Sequence, residues 1–287
     1  MRQDNENKYR IDVDKALNKV YSRLEEDGLL NVETKQPSSG KRKIFFRWTA
    51  IAAAAVFVGF IFYILHFPQN KDNSLVFLQN EDNSGILVIT LEDSSVVYLA
   101  NKASISCPAV FAKDKRKIKL NGNALFCVTK DEKRPFVIET DENITVEVVG
   151  TIFAVQSSSE KPFELSVKQG KVNVYSNAET VVPVEAGETV QMKTTGLSKS
   201  ETVNFRIFND FTEKVCFKDE KLNNIIHAIN TMYGFPAVIT DESLNNRTLT
   251  VTFENESIET MTELICLALN LEQVNKQDTI YIRQFQK

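Results

Sequence analysis

The stretch VEVVGTIFAV, residues 146–155, carries β-branched and aromatic residues on both sides of a lone Gly150-Thr151 pair. Such a segment reads as strand. A glycine inside it weakens the pairing and marks a bulge, a bend or a close approach. The pair is therefore either a piece of β geometry or a chemical site.

Working outward, strand patterns of the same kind surround it. ILVITLE (86–92), SVVYLA (95–100), KIKLNGNALFCVTK (117–130), FVIET (136–140), FELSVKQGKVNVYS (163–176) and VEAGETVQM (184–192) alternate apolar positions between turn signals. A spacing of roughly 8–12 residues predicts an antiparallel β-sandwich or barrel-like roll. The basic run KDKRKIK (113–119) falls at a predicted turn and reads as a solvated hairpin.

Downstream, an internal repeat appears at an offset of 36. Val215, Phe217, Asp219, Leu222, Ile225, Ile229 and Phe235 fall opposite Val251, Phe253, Asn255, Ile258, Met261, Ile265 and Leu271. Each copy reads as strand, capping Asp or Asn, amphipathic helix, strand. With a last strand, TIYIR (279–283), this predicts a small α+β module of two βαβ-like halves, with sheet edges open to pairing.

Upstream, WTAIAAAAVFVGFIFYILHF (48–67) contains no charged residue. Twenty residues at about 1.5 Å each span about 30 Å, the thickness of a bilayer's hydrocarbon core. Trp48 and Tyr63 sit where interfacial aromatics are expected. A signal peptide would have a shorter apolar region and a shorter leader, and a buried core helix is the other reading. Residues 1–47 carry eleven Lys/Arg against eight Asp/Glu, a net of +3, and residues 68–287 carry twenty-three against thirty, a net of −7. Lys41, Arg42, Lys43 and Arg47 precede the span, so the positive-inside rule keeps the N-terminus cytoplasmic. Within that segment residues 12–29 read as an amphipathic helix whose Val13, Leu17, Val20 and Leu24 form a narrow apolar stripe. Such a stripe needs a partner, a membrane surface, or stays partly unfolded. TKQPSSGKRK (34–43) reads as a flexible cationic linker.

The inventory for catalysis is thin. His66 borders the span, and His227 falls on the polar face of its helix, a surface imidazole by default. No phosphate-cradling glycine loop, nucleophile elbow or metal-ligand spacing is present in the sequence. Neither a turnover enzyme, a cofactor, a metal nor nucleic-acid binding is expected. Cys107, Cys127, Cys216 and Cys266 lack metal spacing; they read as small buried side chains, with a Cys107–Cys127 bridge as the pairing to test.

The segments TLEDSSVVYLANKASI, KIKLNGNALFCVTKDEKRPFVIET, VEVVGTIFAV, VKQGKVNVYS and VEAGETV together resemble the FecR family of bacterial transmembrane anti-sigma factors, over roughly residues 85–192. The C-terminal repeat is similar to the family's second periplasmic domain, related to the short βαβ signalling domain of secretins and TonB-dependent receptors. The resemblance implies a bacterial inner-membrane protein with a cytoplasmic N-terminus and a periplasmic C-terminus. It implies a relay from the signalling domain of an outer-membrane TonB-dependent receptor to an extracytoplasmic-function sigma factor, held through Val13, Leu17, Val20 and Leu24. A membrane-anchored periplasmic binding or scaffold protein without a sigma partner is the alternative. Many members carry a longer helical bundle before the span, where this chain offers one clear helix. Some members cut themselves at a Gly-Thr bond, and Gly150-Thr151 occupies the matching position. The expected organisation is 1–47 cytoplasmic, 48–67 transmembrane helix, 75–195 FecR-like all-β domain and 205–287 α+β signalling module.

Overall fold

The alternating segments form strands whose two faces pack on different cores. The structure, a computed structural model, describes residues 13–27, 74–81, 85–158, 161–176, 180–234 and 236–285. Trp48–Phe67 lies outside the described residues, among which no helix is long and apolar enough to cross a membrane. Helix α1 (Val13–Glu26) belongs to one compact unit, Met1–Lys71, and every strand to another, Asp72–Lys287.

In chain order the strands begin with β1 (Leu75–Gln79), β2 (Ile86–Thr90), β3 (Val96–Leu99), β4 (Ser104–Pro108), β5 (Arg116–Asn121), β6 (Ala124–Cys127) and β7 (Phe136–Thr140). They continue with β8 (Ile144–Val148), β9 (Ile152–Ser158), β10 (Lys161–Gln169), β11 (Lys171–Ser176), β12 (Thr180–Glu185), β13 (Glu188–Lys193) and β14 (Gly196–Glu201). Then come α2 (Arg206–Asp210), β15 (Lys214–Lys221), α3 (Leu222–Tyr233), β16 (Ala237–Ile239), β17 (Thr248–Glu254), α4 (Ile258–Leu269), β18 (Leu271–Lys276) and β19 (Thr279–Gln284). Of the predicted 12–29 helix, Val13–Glu26 is helical and Asp27 turns; its remaining positions lie outside the described residues. Strand β14 pairs with β13, from Lys193↔Gly196 to Glu188↔Glu201, so the sandwich runs past residue 195.

The first sheet has the order β1-β4-β5-β7-β8-β11-β12, and the second β14-β13-β10-β9-β6-β3-β2-β15-β17. Their facing sides bury Leu99, Leu120, Phe126, Phe136 and Phe153 in one core. The runs VVYL and ALFC are buried throughout because their strands are covered on both sides. Val97 and Leu99 point into the sandwich, whereas Val96 and Tyr98 point into a second core. That second core joins Val88, Leu125 and Ala154 of the sandwich to Ile225 and Ile229 of α3 and Ile265 of α4.

The sequence suggested a β domain followed by a module with its own open sheet. Instead β15 adds in parallel to β2, Val215↔Ile86 and Cys216↔Leu87, so one sheet continues through both parts. Only β16, β19 and β18 form a separate small sheet. The repeat holds in the backbone. Asp219 and Asn255 both take left-handed φ angles, 47° and 56°, and the helices that follow start three residues later at Leu222 and Ile258. They end at Gly234 and Asn270, left-handed again and also 36 apart. Asp219 and Asn255 are therefore not the caps. They turn the chain out of the strand, and the cap positions fall to Lys221, which makes no side-chain cap bond, and Ser257, whose side chain accepts from the Thr260 amide.

Candidate functional site

Gly150-Thr151 sits where the chain leaves β8 in the first sheet and enters β9 in the second. The glycine is required by packing: a Cβ on Gly150 would stand 2.7 Å from both Cα and Cβ of Lys130. From the other side Gly170, with φ of 88°, presses in. A Cβ there would meet Thr151 Cγ2 at 2.6 Å and the Gly150 carbonyl oxygen at 3.0 Å. The bond is held between backbone contacts as well. Asp131 N–H donates to the Val149 carbonyl and Val128 N–H to that of Thr151, both at 2.9 Å.

Thr151 is 4% exposed, and its Oγ1 is buried without a hydrogen-bond partner. An unsatisfied buried hydroxyl costs on the order of 1–3 kcal/mol. Such a group marks strain, chemistry or a place for an ordered water, and Asn80, Thr90 and Gln273 carry the other three among the described residues. Two clefts flank Thr151. One, of about 250 Å³, is lined by Gly150, Thr151, Ser94, Cys127 and His227. The other, of about 390 Å³, is lined by Gly150, Thr151, Lys130, Glu132, Glu147 and Lys171. Three groups able to accept a proton, His227 in one cleft and Glu132 and Glu147 in the other, thus line the clefts that flank this bond, none of them hydrogen-bonded to Oγ1.

His227 stays near the surface, as its helix face suggests, but it is tethered there. Its Nε2 donates to the Ser94 carbonyl at 2.8 Å, which leaves Nδ1 as the ring's acceptor when neutral. The next residue of α3 makes the matching contact, with the Tyr98 hydroxyl donating to the Ala228 carbonyl at 3.3 Å. Helix α3 is thereby fastened to the β2–β3 hairpin beside the cleft.

A buried cation organises this end of the sandwich. Arg116 is fully buried, its Nη1 2.7 Å from Asp93 Oδ2. Its remaining donors reach the carbonyls of Arg134 and Thr129 at 2.8 Å and of Val149 at 3.2 Å, and its guanidinium lies over the Phe136 ring. Asp93 also accepts from the Ser95 hydroxyl at 2.7 Å, and Ser95 Oγ accepts from the Thr129 amide at 3.1 Å. The basic run is thus not wholly solvated. The clue was present in its period: Arg116 shares a strand face with Ile118 and Leu120.

Residues 82–173 match the family model described as FecR protein, and residues 214–282 the one described as FecR, C-terminal. The chain belongs to the FecR family. The FecR match ends inside β11, and the C-terminal match opens with β15, the strand that extends the sandwich's own sheet. Two crystal structures of a candidate anti-sigma factor from Parabacteroides distasonis are similar, at 23% and 22% identity and TM-scores of 0.46 and 0.44. Each match covers 74% of this chain and all of the other. No curated protein matches at a significant level.

Outside the FecR domains, α1 carries the predicted stripe. Leu17 and Val20 are exposed by 52% and 56%, Leu24 is half-buried, and Val13 opens the helix. All four cysteines are free and buried. Cys107 packs in the first core and Cys127 in the second, on opposite sides of the second sheet, which separates the pair proposed for bridging. Burial pushes the Cys127 thiol up to about 12, so beside Thr151 it stays protonated and inert. Among the described residues no group of His, Cys, Asp and Glu is placed to hold a metal.

Proposed function

We propose that this FecR-family chain is a transmembrane anti-sigma regulator. It passes a signal from an outer-membrane TonB-dependent receptor, met in the periplasm, to an extracytoplasmic-function sigma factor in the cytoplasm. The observation that carries the reading is the pairing of a FecR domain with a FecR C-terminal domain in one chain, behind a helix whose Leu17 and Val20 lie exposed. The apolar stretch 48–67 supplies the membrane span between them. Sigma binding is assigned to the stripe Val13, Leu17, Val20 and Leu24, where an apolar helix face in a partner's groove is the recognition mode. Deleting residues 1–40 from the full chain removes control of a sigma-dependent reporter, and Leu17→Asp weakens capture of the sigma factor. Unchanged reporter output after the deletion would leave the anchored-scaffold reading instead.

A second reading, self-cleavage at Gly150-Thr151, is favoured by the partnerless buried Thr151 hydroxyl. Thr151 Oγ adds to the Gly150 carbonyl carbon through a five-membered ring, its proton relayed through water in the flanking clefts to Glu132, Glu147 or Nδ1 of His227. The carbon–nitrogen bond then breaks as the Thr151 nitrogen takes up a proton, leaving an ester. Water opens the ester to a Gly150 carboxylate and restores the hydroxyl. The event turns over once and makes the chain a self-processing regulator rather than an enzyme. Two fragments of the wild-type chain that become one in Thr151→Ala support it; a wild-type chain that stays whole on prolonged incubation ends it.

A further inference from the structure

Strand β1 is an edge strand whose apolar side chains face outward. Leu75 and Phe77 are 72% and 63% exposed, on the side of β1 away from the core into which Leu78 packs. Their cross-strand partners are Pro108 and Ser106 of β4. The β4–β5 loop adjoins this surface, with exposed Val110, Lys113, Asp114 and Lys115. It lies at the end of the sheet where β1 begins, because Ala109 N–H donates to the Ser74 carbonyl at 3.1 Å. Aliphatic and aromatic side chains beside lysines form the composition of a surface that rests in a lipid interface.

We propose that this corner of the FecR domain docks on the membrane, with Leu75, Phe77 and Val110 in the headgroup layer and Lys113 and Lys115 on lipid phosphates. The proposal rests on the membrane-anchored reading above, and the chain itself names the occupant. The apolar stretch ends at Phe67, eight residue steps before Leu75. At no more than about 3.5 Å per step, the tether holds Leu75 within about 28 Å of the end of the span. Headgroups extend the bilayer by several ångströms beyond its hydrocarbon core, so the interface is the surface this corner meets at highest local concentration. A second protein adding a strand to the β1 edge would use main-chain groups there. It would leave unexplained why the apolar side chains stand on the sheet face and continue into the loop.

The sequence contains a single tryptophan, Trp48, at the start of the apolar stretch. The full chain is reconstituted in vesicles of phosphatidylcholine and phosphatidylglycerol whose acyl chains carry bromine near the headgroups. Trp48 emission in the wild-type chain reports the span. In Trp48→Phe combined with Phe77→Trp, the new indole is expected to lose most of its emission to the brominated lipid. In Trp48→Phe combined with Phe285→Trp, beyond the small third sheet, it is expected to keep it. An unquenched indole at 77 beside a quenched wild-type Trp48 overturns the docking and leaves the span standing, as does equal quenching at 77 and 285. An unquenched wild-type Trp48 removes the span, and the docking with it.

Discussion

Arg116 and Asp93 meet at 2.7 Å inside the FecR sandwich, their side chains 0% and 2% exposed. The pair joins the β2–β3 turn to β5, and the other guanidinium donors carry the link to the carbonyls of Thr129, Arg134 and Val149. The residue before Gly150 is thus held by a charge that water does not reach.

Removing one partner strands the other. Arg116→Met leaves Asp93 buried and unpaired, and is expected to cost about 3–5 kcal/mol in urea unfolding of residues 72–287. Arg116→Lys restores little, because a single ammonium cannot reproduce the fork. Arg116→Met combined with Asp93→Leu recovers part of the loss.

The partnerless hydroxyl gives an opposite sign. Thr151→Val keeps the shape and removes the unsatisfied group, so the folded state gains up to about 1–3 kcal/mol. Gly150→Ala drives a methyl into the Lys130 backbone and loses about 1–3 kcal/mol. Paired thermal melts of the two variants check both signs.

Truncation after residue 204 strips the second core from the sandwich. Val88, Val96, Tyr98 and Leu125 then face water. The truncated chain is expected to bind a hydrophobic dye and self-associate, seen by fluorescence and light scattering; a monodisperse product without dye binding would contradict the shared core.

Acid and alkali act on different groups. The Arg134 guanidinium holds Asp131 below the usual carboxylate range, and a hydrogen bond from Ser243 does the same for Asp241. A depressed folded pKa stabilises above the unfolded value near 4, so their contribution is present at neutral pH and lost as pH falls through the folded values. Both carboxylates are only half-buried and remain open to solvent, so this acid limb is shallow and flattens with salt. Cys127 runs the other way. Burial raises it from 9.0 to about 12, so its stabilisation is complete below pH 9 and lost as pH rises toward 12. Cys127→Ala flattens that alkaline limb in a plot of Tm against pH. In the native chain the four buried thiols react slowly with a disulfide reagent, and all four react on unfolding.

The strand patterns around Gly150 and the 36-residue repeat were legible because period-2 and helix-period patterning are local properties. The positive φ at Asp219 and Asn255 repeats as faithfully as the apolar positions do. What sequence could not reveal was pairing between distant strands. Nothing local to Ile86 and Val215 says that they lie side by side, so the two domains looked separable. The partner of His227 was hidden for the same reason, since the carbonyl it meets belongs to Ser94, 133 residues earlier. Arg116 was legible: the alternation in β5 puts it on the face of Ile118 and Leu120, although the neighbouring charges alone point to solvent.

The strand order of the second sheet also sets a timetable. Strands β6, β3 and β2, all made before residue 128, occupy the middle of the sheet. Their neighbours, β9 on one side and β15 on the other, come from residues 152–158 and 214–221. A chain emerging N-terminus first therefore leaves the β6 edge vacant until β9 follows about 30 residues later, and the β2 edge vacant until β15 has appeared, some 90 residues after β6. Closure of this sheet must wait for most of residues 72–287, and until then a chaperone that shields strand edges has a ready client.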